Sequence, residues 1–505
     1  MNKIERKIEH LQSQPSEIRE ICQKIHESGC QFASLIAEEM EAEWLLHYWF
    51  YGNESQGQIL VHTSLQKPEH LISSISLVIH AADWHEREIE DLFGLVFEDH
   101  PKLGDFILHE NWPEGFNPMR KGFNPQNPYP FQELTPVWNP RKIVHAQGSF
   151  LMPVGPVYGG EFESSHFLLE TVGEDVIHTI RRLFYKYRGV EKIAENKTID
   201  QVLQLSERYA GTSAFAHSLA FCQTVEQICG IKTSERTAGL RVFLAELERI
   251  RHHIGTIEKI CESTGLGIAG SQTSLLHEDC LRLTGELTGH RYFFRLNTPG
   301  GLRREFTDRD CAESLKKVQH ILKQLFEIET LLKRTSSFLD RLEEVGIVTL
   351  KNAEEVGLVG PAARASGVKR DLRTCQSYGL YDQIQVSVPC ETQGDGYARL
   401  RLLFSEIRES FRIMEQILKI LPKGSGRPEK IELKDGTGTG WVEAPLGAEF
   451  QWVRISENGK IARYRISSPS FANWHGFDLA TENFAFQDFP IIMATFGLSV
   501  AECDR

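Results

Sequence analysis

Seven of the chain's 20 prolines crowd between Trp112 and Arg141. Each proline fixes φ and removes a backbone donor, so neither a helix interior nor a central strand can run through this stretch. The chain must therefore fold as separate units on either side. We read 1–111 as a small first domain, 112–141 as a Pro-rich connector, and 142–505 as a second, larger domain. Trp112, Phe116, Phe123, Tyr129, Phe131 and Trp138 punctuate the connector. So many aromatic side chains predict a segment laid over a surface.

Periodicity differs between the two units. In the first, Glu43 to Phe50 and Gln58 to His62 alternate as strands around a turn at Gly52 and Asn53, and Ser74 to Ile79 reads as another strand. A charged amphipathic helix follows from Asp83, with Ile89, Leu92 and Phe93 on one face and Gly94 as its stop. In the second unit, one apolar stripe runs through Leu240, Phe243, Leu244, Leu247, Ile250, Ile254 and Ile257, behind Ser234 as N-cap. Leu315, Val318, Leu322, Leu325 and Leu332 form a second stripe. Leu403, Ile407, Phe411, Met414 and Leu418 form a third. Such stripes pack as a helical bundle core. Near the end, Phe450 to Ile455 and Ile461 to Ile466 flank Asn458 and Gly459, a hairpin signal. The expected class is α+β: a small α/β domain followed by a mainly helical domain with peripheral strands.

Composition excludes several functions. The net charge is −13 and no Lys/Arg-rich run occurs, which disfavours phosphate neutralisation and hence nucleic acid. No apolar run reaches the roughly 18 residues of a bilayer span; Phe489 to Ala501 comes nearest and contains Pro490 and Gly497. The polar amino terminus lacks the apolar core of a signal peptide. A cytoplasmic location is expected, with any membrane contact made through partner subunits. The ten cysteines form no C-x-x-C pair, and no G-x-G-x-x-G follows a strand, so direct NAD binding is not expected.

Several motifs carry a resemblance to known families. Glu86-Arg87-Glu88-Ile89-Glu90-Asp91-Leu92-Phe93-Gly94 resembles the signature of the thirty-kilodalton subunit of complex I, where the segment docks the small domain onto its neighbours. The remainder resembles the forty-nine-kilodalton subunit of complex I and its [NiFe]-hydrogenase relatives of group 4. Gly155-Pro156 followed by Glu163-Ser164-Ser165-His166-Phe167 looks like that family's first strand. Arg188-Gly189-Val190-Glu191-Lys192 matches its R-G-x-E-K turn, and Phe215-Ala216-His217-Ser218 continues the match. Gly360 through Arg373, Glu443-Ala444-Pro445, Ser468-Pro469-Ser470-Phe471 and the terminal Asp504-Arg505 follow in family order. The fused arrangement is most similar to formate hydrogenlyase-type large subunits.

The resemblance also implies what is missing. A nickel–iron site needs four thiolates, which relatives supply as two C-x-x-C pairs. The matching positions here hold Ala210, Ser213, Ser499 and Glu502, with Cys503 out of register. Leu446 stands where relatives carry Arg or Lys, and Tyr158 where they carry His. No nickel–iron site is expected. In complex I the vacated cavity admits a quinone held by a Tyr and a His. Here Glu207 falls at the tyrosine position with Tyr209 two residues on, and the histidine falls near Glu163 or Ser164.

Three residues are candidates for the site, each with two open readings. Tyr209 either supplies the quinone-binding phenol or packs in the collapsed cavity. Glu163 either relays protons or is a solvated loop acid. His217 is either a proton carrier or a satisfied core histidine. Glu207, Ser213, Ser499 and Glu502 offer oxygens at the emptied site, but their spacing gives a hard metal no specific support. Two functions follow. One is an electron-transferring subunit of a membrane-associated complex I-like assembly, passing electrons to quinone or another acceptor with coupled proton movement. The other is a non-catalytic docking subunit of such a complex; an active nickel hydrogenase is disfavoured. The implied partners include an iron–sulfur protein like the twenty-kilodalton subunit of complex I, with a [4Fe–4S] cluster. A ferredoxin-like subunit and integral membrane subunits at the inner membrane complete the set.

Overall fold

The alternating segments of the first unit close into one four-stranded sheet. Strands β1 (Ile8–Gln12), β2 (Gln31–Glu39), β3 (Glu43–Tyr51) and β4 (Gln58–Gln66) lie in the order β1-β4-β3-β2. β1 runs parallel to β4 and the other pairs are antiparallel. Helix α1 (Ile18–Glu27) carries the chain from one edge to the other and buries Ile18, Cys22 and Ile25. The structure, a computed structural model, describes residues 8–505 except 54, 103–105, 114, 131–137, 139, 141, 146, 158–162 and 429–431.

The expected strand from Ser74 to Ile79 does not form. Strand β5 is only Leu71–Ser73, paired in parallel with β6 (Val96–Glu98). Beyond it, Glu86 of helix α2 (Asp83–Phe93) accepts hydrogen bonds from Ser74 Oγ at 2.5 Å and Ile75 N–H at 2.7 Å. The Ile79 N–H then turns back onto the Ile75 carbonyl. A buried carboxylate has captured the backbone donor that a ladder would have used. Gly94 ends α2 at φ +77°, where a Cβ would come within 2.6 Å of Asn117 Oδ1.

Among the described residues of 112–141 there is neither helix nor strand. The segment is laid on the protein as its aromatic residues predict: Phe123 stacks on Tyr129 at 4.9 Å, and Arg120 lies 4.7 Å over the Trp44 ring. Phe131 falls outside the described residues. Next come the antiparallel strands β7 (Ser149–Val154), β8 (His166–Val172) and β9 (Asp175–Arg182). Of the motif expected to be a strand, Gly155, Pro156 and Glu163 to Ser165 lie outside the strands, and His166 and Phe167 open β8. Gly155, at φ +93°, turns the chain where a Cβ would fall 2.1 Å from the Ser165 carbonyl oxygen.

The helical body comprises α3 (Val190–Ala194), α4 (Ile199–Ser206), α5 (Ala214–Cys229), α6 (Glu235–Ser263), α7 (Gly267–Thr288), α8 (Asp308–Leu332) and α9 (Gly396–Ile420). Strands β10 (Gly436–Ala444), β11 (Gly447–Ile455) and β12 (Ile461–Ser467) form an antiparallel sheet against α5, before α10 (Pro469–Ala480) and α11 (Phe489–Phe496). Ser234 caps α6 by accepting the Thr237 N–H at 3.1 Å. α6 runs between α7, α9 and α11, so its polar side is buried along with its stripe. That polar side is compensated by ions. Glu246 accepts from Arg373 at 3.1 Å and from Tyr381 Oη at 2.5 Å, and His253 meets Glu406 at 2.9 Å. Arg364 joins Glu406 to Glu443, and Arg373 grips Asp371. The Gly360–Arg373 motif is thus the scaffold of a buried charge network.

A second buried network joins the two units. Glu88 of α2 accepts from Arg465 at 2.5 Å and from Arg505, the last residue, at 3.1 and 3.2 Å. Glu191 accepts from Arg463 at 2.7 Å and from the Ile466 N–H at 3.0 Å. Removing one partner of a buried pair leaves the other charged and unsolvated. Glu88→Ala should therefore cost about 3–5 kcal/mol, read by urea unfolding. Limited proteolysis in 112–141 should accelerate with it, as the small domain comes away; unchanged stability and cleavage would contradict this account.

Glu86 yields a pH prediction. Burial pushes its carboxyl up to about 7, against the hydrogen bonds from Ser74 and Ile75. The folded protein holds this proton and the unfolded chain releases it. The stabilisation is full below about pH 4.5, the unfolded value, and is lost as the pH rises through about 7. Glu86→Gln keeps the neutral form throughout and should remove about 3 kcal/mol of the decline in stability between pH 4.5 and 8. Urea midpoints across that range measure it.

Candidate functional site

Two chain segments meet beneath the β10–β12 sheet. The first runs from the end of α4 through a 3-10 turn at Gly211–Ser213 into α5, bringing Tyr209 and His217 together. Tyr209 Oη lies 2.8 Å from His217 Nδ1 and 3.3 Å from Glu449 Oε1. His217 Nδ1 lies 2.5 Å from Glu449 Oε2, and Gln451 Nε2 donates to Glu449 Oε1 at 2.6 Å. Tyr464 Oη in turn donates to Gln451 at 2.7 Å. The second segment is the carboxy-terminal turn. There Glu502 Oε1 stands 3.7 Å from His217 Nε2, and its other oxygen accepts the Ser470 N–H at 3.1 Å. Ser499 Oγ accepts the Glu502 N–H at 3.2 Å.

His217, Glu449 and Glu502 are each 0% exposed at the side chain, so their protonation is set by each other. Burial alone would lower the His217 pKa, but the adjoining Glu449 carboxylate outweighs it and the ring is raised above its ordinary value. Burial pushes Glu502 up, toward its neutral form. Burial and the Glu449 charge hold the Tyr209 phenol well above its usual range. The arrangement is a buried chain of a phenol, an imidazole and two carboxyls. Among the described residues, His217 Nε2, Glu502 Oε1 and Ser213 Oγ find no hydrogen-bond partner.

The other predicted residues stand apart. Glu163 is clamped by Arg188 at 2.6 and 2.7 Å. Arg188 also holds the Asp504 carbonyl, and burial lifts the Asp504 carboxyl to about 7. Glu207 is turned away from His217, with both oxygens on the Arg295 N–H at 2.9 Å. Tyr158 lies outside the described residues. Ala210 offers only a methyl group, and Leu446 is buried without a charge.

These residues do not fit a nickel–iron group. Among the positions that the resemblance assigns to its ligands none carries sulfur: they hold Ala210, Ser213, Ser499 and Glu502. Burial keeps Cys503 a thiol, its pKa well above the ordinary value. Among the described residues no three His, Cys, Asp or Glu side chains surround a point that could hold a metal.

Two contributors were missed in the sequence. Both sit in β11, Gln451 within the Phe450 to Ile455 arm read as part of a hairpin and Glu449 just before it. Their signal was available: acid and amide at alternate positions of a strand otherwise apolar on that face. His166, at the start of β8, lies 3.4 Å from Tyr185 Oη and packs on Trp138.

Comparisons with known proteins agree with this architecture. Residues 11–129 match the family "Respiratory-chain NADH dehydrogenase, 30 Kd subunit", and residues 273–433 match "Respiratory-chain NADH dehydrogenase, 49 Kd subunit". The chain is 29% identical over 451 residues to formate hydrogenlyase subunit 5 of Escherichia coli, covering 88% of this chain and 79% of that protein. It is 26% identical over 501 residues to the C/D subunit of NADH-quinone oxidoreductase from Bdellovibrio bacteriovorus, covering 91% and 87%. It is also 28% identical over 372 residues to membrane-bound hydrogenase subunit alpha of Pyrococcus furiosus, covering 70% and 88%. The chain thus carries a thirty-kilodalton and a forty-nine-kilodalton complex I domain in one polypeptide, and its homologues are fused C/D subunits and formate hydrogenlyase and hydrogenase subunits.

Proposed function

We propose that this chain is a subunit of a membrane-associated, complex I-like oxidoreductase in which a proton-holding cluster replaces the metal centre. The observation that carries the reading is the buried Tyr209–His217–Glu449 chain facing Glu502. A partner iron–sulfur protein, resembling the twenty-kilodalton subunit of complex I, delivers the electrons through a [4Fe–4S] cluster. Quinone or another small acceptor would take the electrons with one proton for each, and His217 with Glu502 would pass on one of these protons. A ferredoxin-like subunit and integral membrane subunits complete the assembly. Among the described residues no helix is long and apolar enough to cross a membrane. On this reading the partners hold the chain peripherally on the cytoplasmic face of the inner membrane.

A second reading has its own support. Tyr209 is only 3% exposed and its hydroxyl is already engaged. A sealed phenol favours a docking subunit without redox chemistry of its own.

Purification of the native complex, with subunit identification and quinone reduction assays, separates the readings. Under the first, Tyr209→Phe lowers turnover by about tenfold or more, the scale of losing one proton-handling group, while the complex stays assembled. Unchanged turnover in that variant would remove Tyr209 from the chemistry. A complex whose cluster no quinone reoxidises would favour the docking subunit. Metal analysis of the isolated chain should find no nickel–iron pair; one nickel together with one iron per chain would overturn the proposal.

A further inference from the structure

Across the small domain's sheet, three histidines stand in series. His10 Nδ1 on β1 lies 2.8 Å from His62 Nε2 on β4. His62 Nδ1 lies 2.7 Å from His47 Nδ1 on β3. His47 Nε2 lies 3.0 Å from Glu38 Oε1 on β2. Arg454 of β11 donates to both Glu38 oxygens at 2.6 Å, and the His47 ring stacks on Trp452 at 5.6 Å. The series begins at an exposed residue and ends buried between the two units.

Hydrogen-bond chemistry gives the series a direction. Glu38, paired with Arg454, is ionised and only accepts, so His47 Nε2 carries a proton and donates. In the tautomer that leaves His47 Nδ1 bare, that lone pair accepts the N–H of His62 Nδ1. This leaves His62 Nε2 as a bare lone pair pointing at His10, on the open side of the sheet. A metal-ligating imidazole has this wiring: one nitrogen free for the ion, the other N–H donated toward a carboxylate that fixes ring and tautomer. Here a second imidazole is interposed before the carboxylate.

We propose that His10 Nδ1 and His62 Nε2 form a two-histidine site for a divalent transition ion of the zinc, nickel or copper class, oriented by His47 and Glu38. Imidazole nitrogens suit these ions, whereas magnesium and calcium prefer oxygen. The two nitrogens face each other in a hydrogen bond at 2.8 Å, so to share one ion the rings separate and the exposed His10 turns. To bind the ion, His10 presents its Nδ1 lone pair in the tautomer protonated at Nε2. Among the described residues no point has three such ligands, so water completes the coordination. Binding would staple β1 to β4 across their parallel pairing. The site lies in the small domain and does not depend on the function proposed for the Tyr209–His217 cluster.

Titration of the full chain with Zn²⁺ by calorimetry tests the site. One ion should bind per chain, with saturable binding lost in both His10→Ala and His62→Ala. His10 is exposed at a strand edge, so its replacement should leave thermal unfolding of the metal-free chain unchanged. His47→Asn should weaken binding by about tenfold or more, the usual cost of losing an orienting partner. With Cu²⁺, electron paramagnetic resonance should show hyperfine structure from two nitrogens. Binding that survives His10→Ala, a one-nitrogen spectrum, or no saturable binding would each overturn the proposal.

Discussion

Five buried charges where the two units meet hold the rest of the molecule in register: Glu88 and Glu191 with Arg463, Arg465 and Arg505. Each would be costly alone, since desolvating an ion costs several kcal/mol unless a partner and hydrogen bonds replace the water. Here Glu88 comes from α2, Glu191 from the R-G-x-E-K turn, two arginines from β12, and Arg505 from the chain end. No one of these elements can leave without stranding the others. Beside them His85 lies 2.8 Å from Arg465, and burial with the arginine charges keeps its ring well below its ordinary pKa, as a neutral acceptor. The positive excess is therefore not increased.

This anchorage also sets the candidate site. Arg505 donates to the Ile466 carbonyl at 2.9 Å as well as to Glu88, so the last residue is fixed against β12. The turn before it has little freedom, and Glu502 is delivered to His217. The first segment is fixed independently. Glu248 of α6 accepts the Phe215 and Ala216 N–H groups at 2.9 Å each, capping the start of α5, while Arg251 donates to the Thr212 carbonyl at 2.5 Å. His217, one turn into α5, follows from that cap. The site is positioned by charges that are not part of it.

How much of this was legible in the sequence depended on whether the cause was local. The α2 helix with its Gly94 stop, the Ser234 cap and the hairpin around Asn458 and Gly459 are set by neighbouring residues, and all appear as read. The failed strand at Ser74–Ile79 is instructive, because its pattern was sound and a side chain from another element overrode it. The α6 stripe was right but incomplete. Glu246, Arg249 and His253 lie outside that stripe, and the distant Arg373 and Glu406 make them interior. Among the site residues, Tyr209 and His217 were visible through the resemblance. Glu449 was not, since its alternation with Gln451 marks a polar face of β11 without telling that α5 covers it.

The sealed geometry need not isolate the Tyr209–His217 cluster from a partner's redox state. A unit charge appearing about 12 Å away, in surroundings with an effective dielectric near 20, changes the energy of an ion by about 1.4 kcal/mol, one pKa unit. No atom of the cluster must touch the acceptor for that coupling to act. The two carboxyls make it directional: a proton on the ring bonds to Glu449 at Nδ1, while Nε2 faces Glu502 without a hydrogen bond. An added negative charge nearby favours taking up another proton, and Glu502, already raised toward its neutral form by burial, is the group prepared to accept it. A soft-metal centre needs deprotonated sulfur at the same positions. A site that holds protons and a site that holds nickel therefore make opposite demands on these residues, and the side chains here offer oxygen and imidazole nitrogen in place of sulfur.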